Sequence, residues 1–447
     1  MSSRDKIVII GAGSTVFTPG LVADLTASPR LRDATVAFVD VAPGVAETMA
    51  RFAERVSRER GANLTVEFAE NRREVLAGAT FVTVTIAVGG ARGWEQDVRI
   101  PERHGAWQTV GDSVGPGGVF RALRHVPVLA EIARDMEDLC PDAWLFNYCN
   151  PLSANVRAVH KTSAIRCAGL CHGVLHTRAE IAADLGYAPP ELTLTVAGLN
   201  HLAWVLDMRV GGEDVYPRFR EIVRQRLASP PERADDPYGG FQEVSSLLME
   251  TFGYYPSPGD RHVAEFFPWS LRPVDGVLPY GTQAGLDMTN RILASRDDRW
   301  DRIAAQAAGD VPLDPALLDE AREGERVVAI MQAILTGEPL VEMAVNVRND
   351  GLIPNLPPDA VVEVPGLIDG RGVHGVAVGP LPDGIAALLA ARARQQELVV
   401  DAALSGDRTL ALQALLADPL TPGFEAAQAM LDEAFAVHAA HLPAFAA

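Results

Sequence analysis

The first 190 residues alternate between short apolar runs and longer stretches with helical spacing. Lys6–Ile10 and Thr35–Val39 are β-branched runs of strand length, joined by a glycine loop and a helix-like segment at Leu21–Thr26, which predicts a βαβ unit. Further buried strands are expected at Leu64–Phe68, Phe81–Ile86, Trp144–Tyr148 and Ala164–Leu170, with helices near Val45–Arg60 and Val119–Leu139. Such alternation implies a mostly parallel, doubly wound sheet whose ligands sit at the carboxyl ends of its strands.

Beyond about residue 190 the rhythm changes. Thr193–Leu199 and Val205–Val210 flank a short polar corner, and a long Pro- and Gly-punctuated region follows. Residues 342–369 alternate as strands would around the turn Asn349-Asp350-Gly351. From Asp383 onward the pattern is helical, with Ile385, Leu388 and Leu389 spaced for one face and Gly406 as a stop. The expected fold class is therefore α/β: an N-terminal Rossmann-type doubly wound sheet over residues 1–190 and a C-terminal mixed α+β domain over residues 191–447.

Composition narrows the function. A chain of 447 residues with 48% hydrophobic content can bury a large core. Its formal charge of −19 opposes encounters with phosphate backbones and anionic membranes, so neither nucleic acid nor a bilayer is an expected partner. No run approaches the ~18 uninterrupted apolar residues of a membrane span. The four cysteines, Cys140, Cys149, Cys167 and Cys171, crowd one strand-rich stretch rather than forming a disulfide framework. Met-Ser-Ser-Arg-Asp leads straight into the first strand without a secretory pattern, and a cytoplasmic location is expected.

Gly11-Ala12-Gly13-Ser14-Thr15-Val16 sits between the first strand and helix, where missing side chains let backbone N–H groups approach a pyrophosphate. Val16 stands where the usual fingerprint has its third glycine. Asp40, at the end of the second strand, is placed to accept from both ribose hydroxyls and to repel a 2′-phosphate, which favours NAD over NADP. Two other strand ends carry Cys171 and His201. A thiolate and an imidazole there can hold a divalent metal and leave positions open for substrate oxygens. Cys140, Cys149 and Cys167 read as core.

At this point the chain resembles glycoside hydrolase family 4, the NAD- and metal-dependent glycosidases, over nearly its whole length. The resemblance rests on Lys6–Ser14 and Asp40, Gly115-Pro116-Gly117-Gly118, Arg121-Ala122-Leu123-Arg124 and Asn147-Tyr148-Cys149-Asn150-Pro151. It continues through Gly169-Leu170-Cys171-His172, Gly198-Leu199-Asn200-His201, Ala264-Glu265-Phe266-Phe267-Pro268-Trp269 and Val361-Val362-Glu363-Val364-Pro365. The NAD-dependent family is an exception to the two-carboxylate scheme of most glycosidases. What the resemblance implies is oxidation at carbon 3 of the sugar by NAD, loss of the carbon 2 proton beside a metal-polarised ketone, departure of the glycosidic oxygen, addition of water and return of the hydride.

On the same resemblance, Cys171 and His201 hold Mn²⁺ or another divalent ion, Asn150 binds substrate, and Asp112 moves a proton or binds a hydroxyl. His172 stands where some members place the acid for the leaving group. The carbon 2 base falls among Tyr254, Tyr255, Asp260 and His262, with Asp260 favoured, Tyr255 behind it and His262 assigned to substrate binding. Members of the family are dimers or tetramers, so a homo-oligomer is expected. The loop Ala87-Val88-Gly89-Gly90 lacks the Arg of phosphosugar members, which argues for an unphosphorylated glycoside. On the resemblance, the Gly after Cys171-His172 is similar to the α-galacturonide and α-glucoside branches, whereas Asp112–Gly118 and Arg121–Arg124 are similar to the α-galactosidase type, with an α-galacturonide preferred, an α-galactoside close behind and Arg92, Arg99 or Arg261 as clamps for a uronate carboxylate. The rival reading is an NAD-dependent dehydrogenase of the lactate or malate type.

Overall fold

The structure is a computed structural model, describing residues 5–230, 241–319 and 326–445; the N-terminal residues 1–4 lie outside the described residues. In chain order the elements are β1 (Lys6–Ile10), α1 (Thr18–Ala27), β2 (Thr35–Val39), α2 (Val45–Glu59), β3 (Thr65–Ala69), β4 (Phe81–Val84), α3 (Gly90–Arg103), α4 (Gly115–Leu139), β5 (Trp144–Asn147), α5 (Leu152–Thr162), β6 (Arg166–Gly169) and α6 (Gly173–Leu185). There follow β7 (Leu192–Leu199), β8 (Leu202–Val210), β9 (Glu213–Asp214), α7 (Tyr216–Ala228), α8 (Glu243–Phe252), β10 (Tyr255–Ser257), α9 (Asp260–Val263) and α10 (Gly285–Ala308). The chain closes with α11 (Arg326–Thr336), β11 (Leu340–Arg348), β12 (Val361–Asp369), β13 (Gly372–Gly375), α12 (Asp383–Ser405), α13 (Arg408–Leu416) and α14 (Phe424–His438).

Six parallel strands run in the order β3-β2-β1-β4-β5-β6, the doubly wound order expected of a dinucleotide fold. β4 and β5 are buried at every position, as they must be when helices cover both faces. On one face Leu21, Met49 and Phe52 of α1 and α2 pack with Val327 and Met331 of α11. On the other, Leu129, Ile132 and Met136 of α4 pack with Val156 and Val159 of α5. Cys140, Cys149 and Cys167 sit in this second layer, and burial raises all three thiols, Cys140 to about 11 and Cys149 to about 12.

Hydrogen bonding runs on past the change of rhythm at residue 190. The antiparallel strands join the same sheet in the order β6-β11-β12-β7-β8-β10. The joins are narrow: β6 meets β11 only at Gly169 and Asn346, and β12 meets β7 only at Glu363 and Gly198. β11 and β12 flank the expected turn, although the connection spans residues 349–360 rather than a tight hairpin. Gly406 ends α12 in the left-handed conformation at φ 69°, as a C-terminal glycine does. Leu388 departs from expectation. Ile385 and Leu389, one turn apart, face the core, whereas Leu388 is 37% exposed.

A buried ion pair anchors the loop that follows β4. Both guanidinium nitrogens Nη1 and Nη2 of Arg124 donate to Asp97 at 2.7 Å, Nε donates to the Val88 carbonyl at 3.2 Å, and neither charged side chain is exposed. The bidentate geometry compensates the desolvation of both groups. Arg124 is thereby structural, and its motif partner Arg121 has a different task, donating to the Asn150 carbonyl at 3.0 Å.

Candidate active site

The glycine loop is shaped by contacts that leave no room for a Cβ. Gly11 takes φ +87° and a Cβ there would lie 2.7 Å from the backbone of Thr85 and Ile86. At Gly13 a Cβ would meet the Asp40 carboxylate at 2.9 Å, because the Gly13 N–H donates to Asp40 Oδ2 at 2.8 Å. The other Asp40 oxygen accepts from Ala42 N–H at 3.0 Å. Ser14 Oγ accepts from the Phe17 N–H at 3.2 Å as the chain enters α1, Thr15 is half-buried, and Val16 stands 65% exposed at the crest. A residue with a side chain is tolerated at position 16 because that crest touches little. Asp40 thus ties the loop and still presents lone pairs at the strand end.

Across the carboxyl edge, four elements converge on His201. It is the second residue of the two-residue turn between β7 and β8, and it adopts φ +70°, a left-handed conformation that costs a β-carbon residue ~1–3 kcal/mol and clusters at functional sites. Its Nε2 lies 3.6 Å from Cys171 Sγ, in the link between β6 and α6. Its Nδ1 lies 2.8 Å from Ser113 Oγ, and Ser113 donates onward to Asp112 Oδ1 at 2.7 Å. Since the serine proton is spent on Asp112, its oxygen accepts from Nδ1–H, and the imidazole lone pair is left on Nε2, facing the sulfur. A carboxylate that fixes a ligating histidine's tautomer in this way is a recurrent feature of metal sites.

Asp112, His201 and His262 offer ligand atoms that all lie within 4.8 Å of one another. The rings of His201 and His262 are 4.1 Å apart, and His262 Nδ1 is buried without a hydrogen-bond partner in the protein. Asn150 donates to Asp112 Oδ2 at 2.8 Å. Burial works against the Asp112 charge, but His201, His262, Arg121 and the Ser113 bond outweigh it and hold the carboxyl below its ordinary range. Burial pushes both imidazoles below their ordinary value, with Arg261 adding to the effect, so each keeps a free lone pair at neutral pH. Burial, with Glu363 and Asp112 nearby, pushes the Cys171 thiol up to about 12. The neutral His201 imidazole and a thiol that gives up its proton to a cation, with the ionised Asp112 carboxylate beside them, make a donor set suited to a divalent metal, and His262 stands next to it as a second neutral imidazole.

His172 caps the start of α6, its ring stacked on Phe17 at 5.9 Å and tilted against Tyr148 at 6.1 Å. With Cys171 it lines an open pocket that also includes Tyr148, Arg326 and Glu342. Two candidates for the base are placed elsewhere. Asp260 accepts from Val244 N–H and Ser245 N–H, each at 2.7 Å, and from Ser245 Oγ at 2.6 Å, so both of its oxygens are bound to the first turn of α8. Burial nevertheless raises its carboxyl to about 6. Tyr255 is buried, edge-on to Phe219 at 5.2 Å, in the apolar cluster behind β8. Both positions differ from the expectation of a free base. Of the three arginines, Arg92 is exposed on the first turn of α3 and Arg99 pairs with Glu95, while the Arg261 charge acts on both cluster histidines.

Sequence reasoning left Ser113 and Glu265 without roles. The signal for Ser113 was its place beside Asp112. Glu265 Oε1 accepts the N–H groups of Thr109, Val110 and Gly111 at 2.8–2.9 Å, which pins the segment leading to Asp112. Burial lifts this carboxyl to about 7 despite those bonds, so the folded protein binds a proton the unfolded chain releases near its ordinary 4.5. Its contribution to stability is complete below about 4.5 and is lost as pH rises to about 7. Glu265→Gln keeps an acceptor oxygen and abolishes that loss. Relative to the parent, its Tm should therefore be higher at pH 8 than at pH 5, by the equivalent of roughly 3 kcal/mol at most; paired melts giving a pH-independent difference would refute this.

A dinucleotide-type parallel sheet with a glycine loop and a Cys, His and Asp cluster on the same carboxyl edge defines a Rossmann-type α/β enzyme of the kind that pairs a nucleotide with a metal-ready site. The chain belongs to glycosyl hydrolase family 4: the family 4 glycosyl hydrolase model matches residues 6–187 and the family's C-terminal domain model matches residues 196–421. It is similar to the alpha-galacturonidase of Bacillus subtilis (strain 168), at 34% identity over 93% of each chain, and to the alpha-galactosidase of the same strain, at 32% identity over 98% of this chain and 99% of the other. A 6-phospho-alpha-glucosidase from gut microorganisms, solved with NAD and Mn²⁺, shares the fold with a TM-score of 0.83 at 21% identity, covering 99% of both chains. Among the described residues no helix is long and apolar enough to cross a membrane.

Proposed function

We propose that this family 4 enzyme hydrolyses an unphosphorylated α-glycoside, an α-galacturonide before an α-galactoside or α-glucoside, using NAD and Mn²⁺ or a related divalent ion. The observation that carries the reading is the cluster of Cys171, His201, Asp112 and His262 on the sheet edge that also bears the glycine loop and Asp40. When bound, NAD would supply a reversible hydride acceptor for carbon 3, and the divalent ion would supply Lewis acidity beside it. Gly11, Gly13, Ser14, Thr15 and Val16 would hold the pyrophosphate and Asp40 the adenosine ribose, in a nucleotide domain of residues 1–190. Cys171 and His201 would hold the ion, alongside a substrate and oligomerisation domain of residues 191–447.

The remaining residues divide the work on the sugar. Asn150, oriented by Arg121 and tied to Asp112, binds a hydroxyl, and Asp112 keeps its charge to accept from another. His172, which lines the pocket together with Cys171, donates a proton to the leaving oxygen. His262 takes the carbon 2 proton, because its buried Nδ1 has no protein partner whereas Asp260 is occupied by α8. Arg261, rather than Arg92, supports a uronate, since its charge already reaches the histidines. Exposed Leu388, Leu416, Phe424 and Val437 on and beside the C-terminal helices favour a homodimer or homotetramer, and a cytoplasmic setting suits the free thiols.

The test is a panel of aryl α- and β-glycosides and uronides, assayed with NAD, Mn²⁺ and a thiol reductant. Release of the aryl group from the α-galacturonide at the highest kcat/KM, without net NADH, is the expected result. Stoichiometric NADH without bond cleavage would revive the dehydrogenase reading, and preference for a 6-phosphate would refute the substrate class.

A further inference from the structure

Two narrow joins hold the antiparallel half of the sheet to the parallel half, and they lie on a single row. Gly169 of β6 pairs with Asn346 of β11, Asn346 with Glu363 of β12, and Glu363 with Gly198 of β7. Cys171 lies two residues beyond one end of that row and His201 three beyond the other. The spacing between sulfur and imidazole is thus set by what holds the row together. In its middle stands a carboxylate, 4% exposed, where an apolar side chain would avoid the cost of desolvation.

Glu363 Oε2 accepts from Asn346 Nδ2 at 2.9 Å and from Asn200 Nδ2 at 3.0 Å. Asn200 is the residue before His201 in the β7–β8 turn, and its amide eases ionisation of the Cys171 thiol against the larger effect of burial. An ionised carboxylate accepts and never donates, so both neighbouring amides must turn their NH₂ groups toward it. Turned that way, Asn200 spends one N–H on Glu363 and has a second left to offer. The buried carbonyl oxygens Asn200 Oδ1 and Asn346 Oδ1 are left without partners, which shows how far the acceptor dictates the orientation. A glutamine at 363 presents its own NH₂ and permits either amide to flip.

We propose that Glu363 is a positioning residue for the Cys171 and His201 site, its carboxylate orienting the Asn200 amide so that an N–H faces the Cys171 sulfur and the turn bearing His201 stays in register. The proposal rests on the metal reading given above. It deepens that reading by explaining why an acid, and not merely a buried polar group, sits at the seam. Asn346 shares the carboxylate but stands on β11 rather than in the turn that bears His201, and so serves as an internal control.

The test uses the full-length protein without NAD. Mn²⁺ is titrated by calorimetry, Co²⁺ binding is followed by the near-ultraviolet thiolate-to-metal absorption, and Tm is recorded for Glu363→Gln, Asn200→Ala and Asn346→Ala. Glu363→Gln and Asn200→Ala should raise the Mn²⁺ Kd by about 10- to 100-fold, the range typical of residues that orient a metal ligand, and weaken the Co²⁺ band. Asn346→Ala should lower Tm with the Kd changed by less than about threefold. A parent protein with a normal band, beside Glu363→Gln and Asn200→Ala variants with the parent's Kd and band, overturns the proposal alone. A parent protein with no thiolate band overturns the metal reading and the proposal with it. If Glu363→Gln fails to fold, Asn200→Ala decides by the same two readouts.

Discussion

Replacing Cys171 with serine is expected to lower kcat/KM on an α-glycoside by about three orders of magnitude, the effect of losing ~4 kcal/mol of transition-state stabilisation, while Tm moves by only a few degrees. The sulfur is half-buried just before α6, and its contacts with Gly173 N–H at 3.4 Å and His201 Nε2 at 3.6 Å are ones a serine oxygen can keep. What serine cannot reproduce is a negative ligand. Its hydroxyl stays protonated beside a divalent ion at conditions where a coordinating thiol is deprotonated outright. Because burial holds the free thiol up near 12, binding of the ion must expel that proton, and the parent's affinity should rise with pH across the neutral range. The variant should lose both this pH dependence and the Co²⁺ thiolate band. Full activity in Cys171→Ser, measured with Mn²⁺ at several pH values, would reduce Cys171 to a packing residue.

Much of this site could be read from residue order, and the reason is geometric. In a parallel sheet every strand delivers its next residues to the same edge, so Asp40, Asn150, Cys171 and their glycine loop had to converge once the strands were recognised. The apolar strand runs were easy to see because helices cover both faces. Long-range contacts were not. Asp260 meets α8 through residues 15 and 16 positions earlier, and nothing in its spacing distinguishes an acid that caps a helix from an acid in a cleft. Ser113 was similarly silent, since its role depends on which way its single proton points. Glu363 sits in a motif of the family and Asn346 in ordinary strand sequence, and only the one-residue joins of the sheet reveal that they share a rung with the strands that lead to Cys171 and His201.

Those long-range contacts decide the last assignment. His262→Gln is expected to slow exchange of the carbon 2 hydrogen with solvent by about 10³-fold, within the range a positioned general base contributes, whereas Asp260→Asn should leave exchange within about tenfold of the parent and lower Tm instead. Asp260 cannot easily serve both roles. Its oxygens accept two backbone N–H groups and a hydroxyl at the start of α8, and taking up a proton from substrate would sacrifice at least one of those bonds. Losing such a helix-terminal acceptor costs ~1–2 kcal/mol. His262 has the opposite profile: a neutral, half-buried imidazole beside His201, with a buried Nδ1 that no protein group satisfies. A substrate deuterated at carbon 2 separates the possibilities. If His262 instead served as a ligand, its Gln variant would raise the Mn²⁺ Kd and suppress exchange in proportion. If Asp260→Asn abolished exchange at unchanged Tm, the base would be Asp260, and the helix start would have to release it when substrate binds.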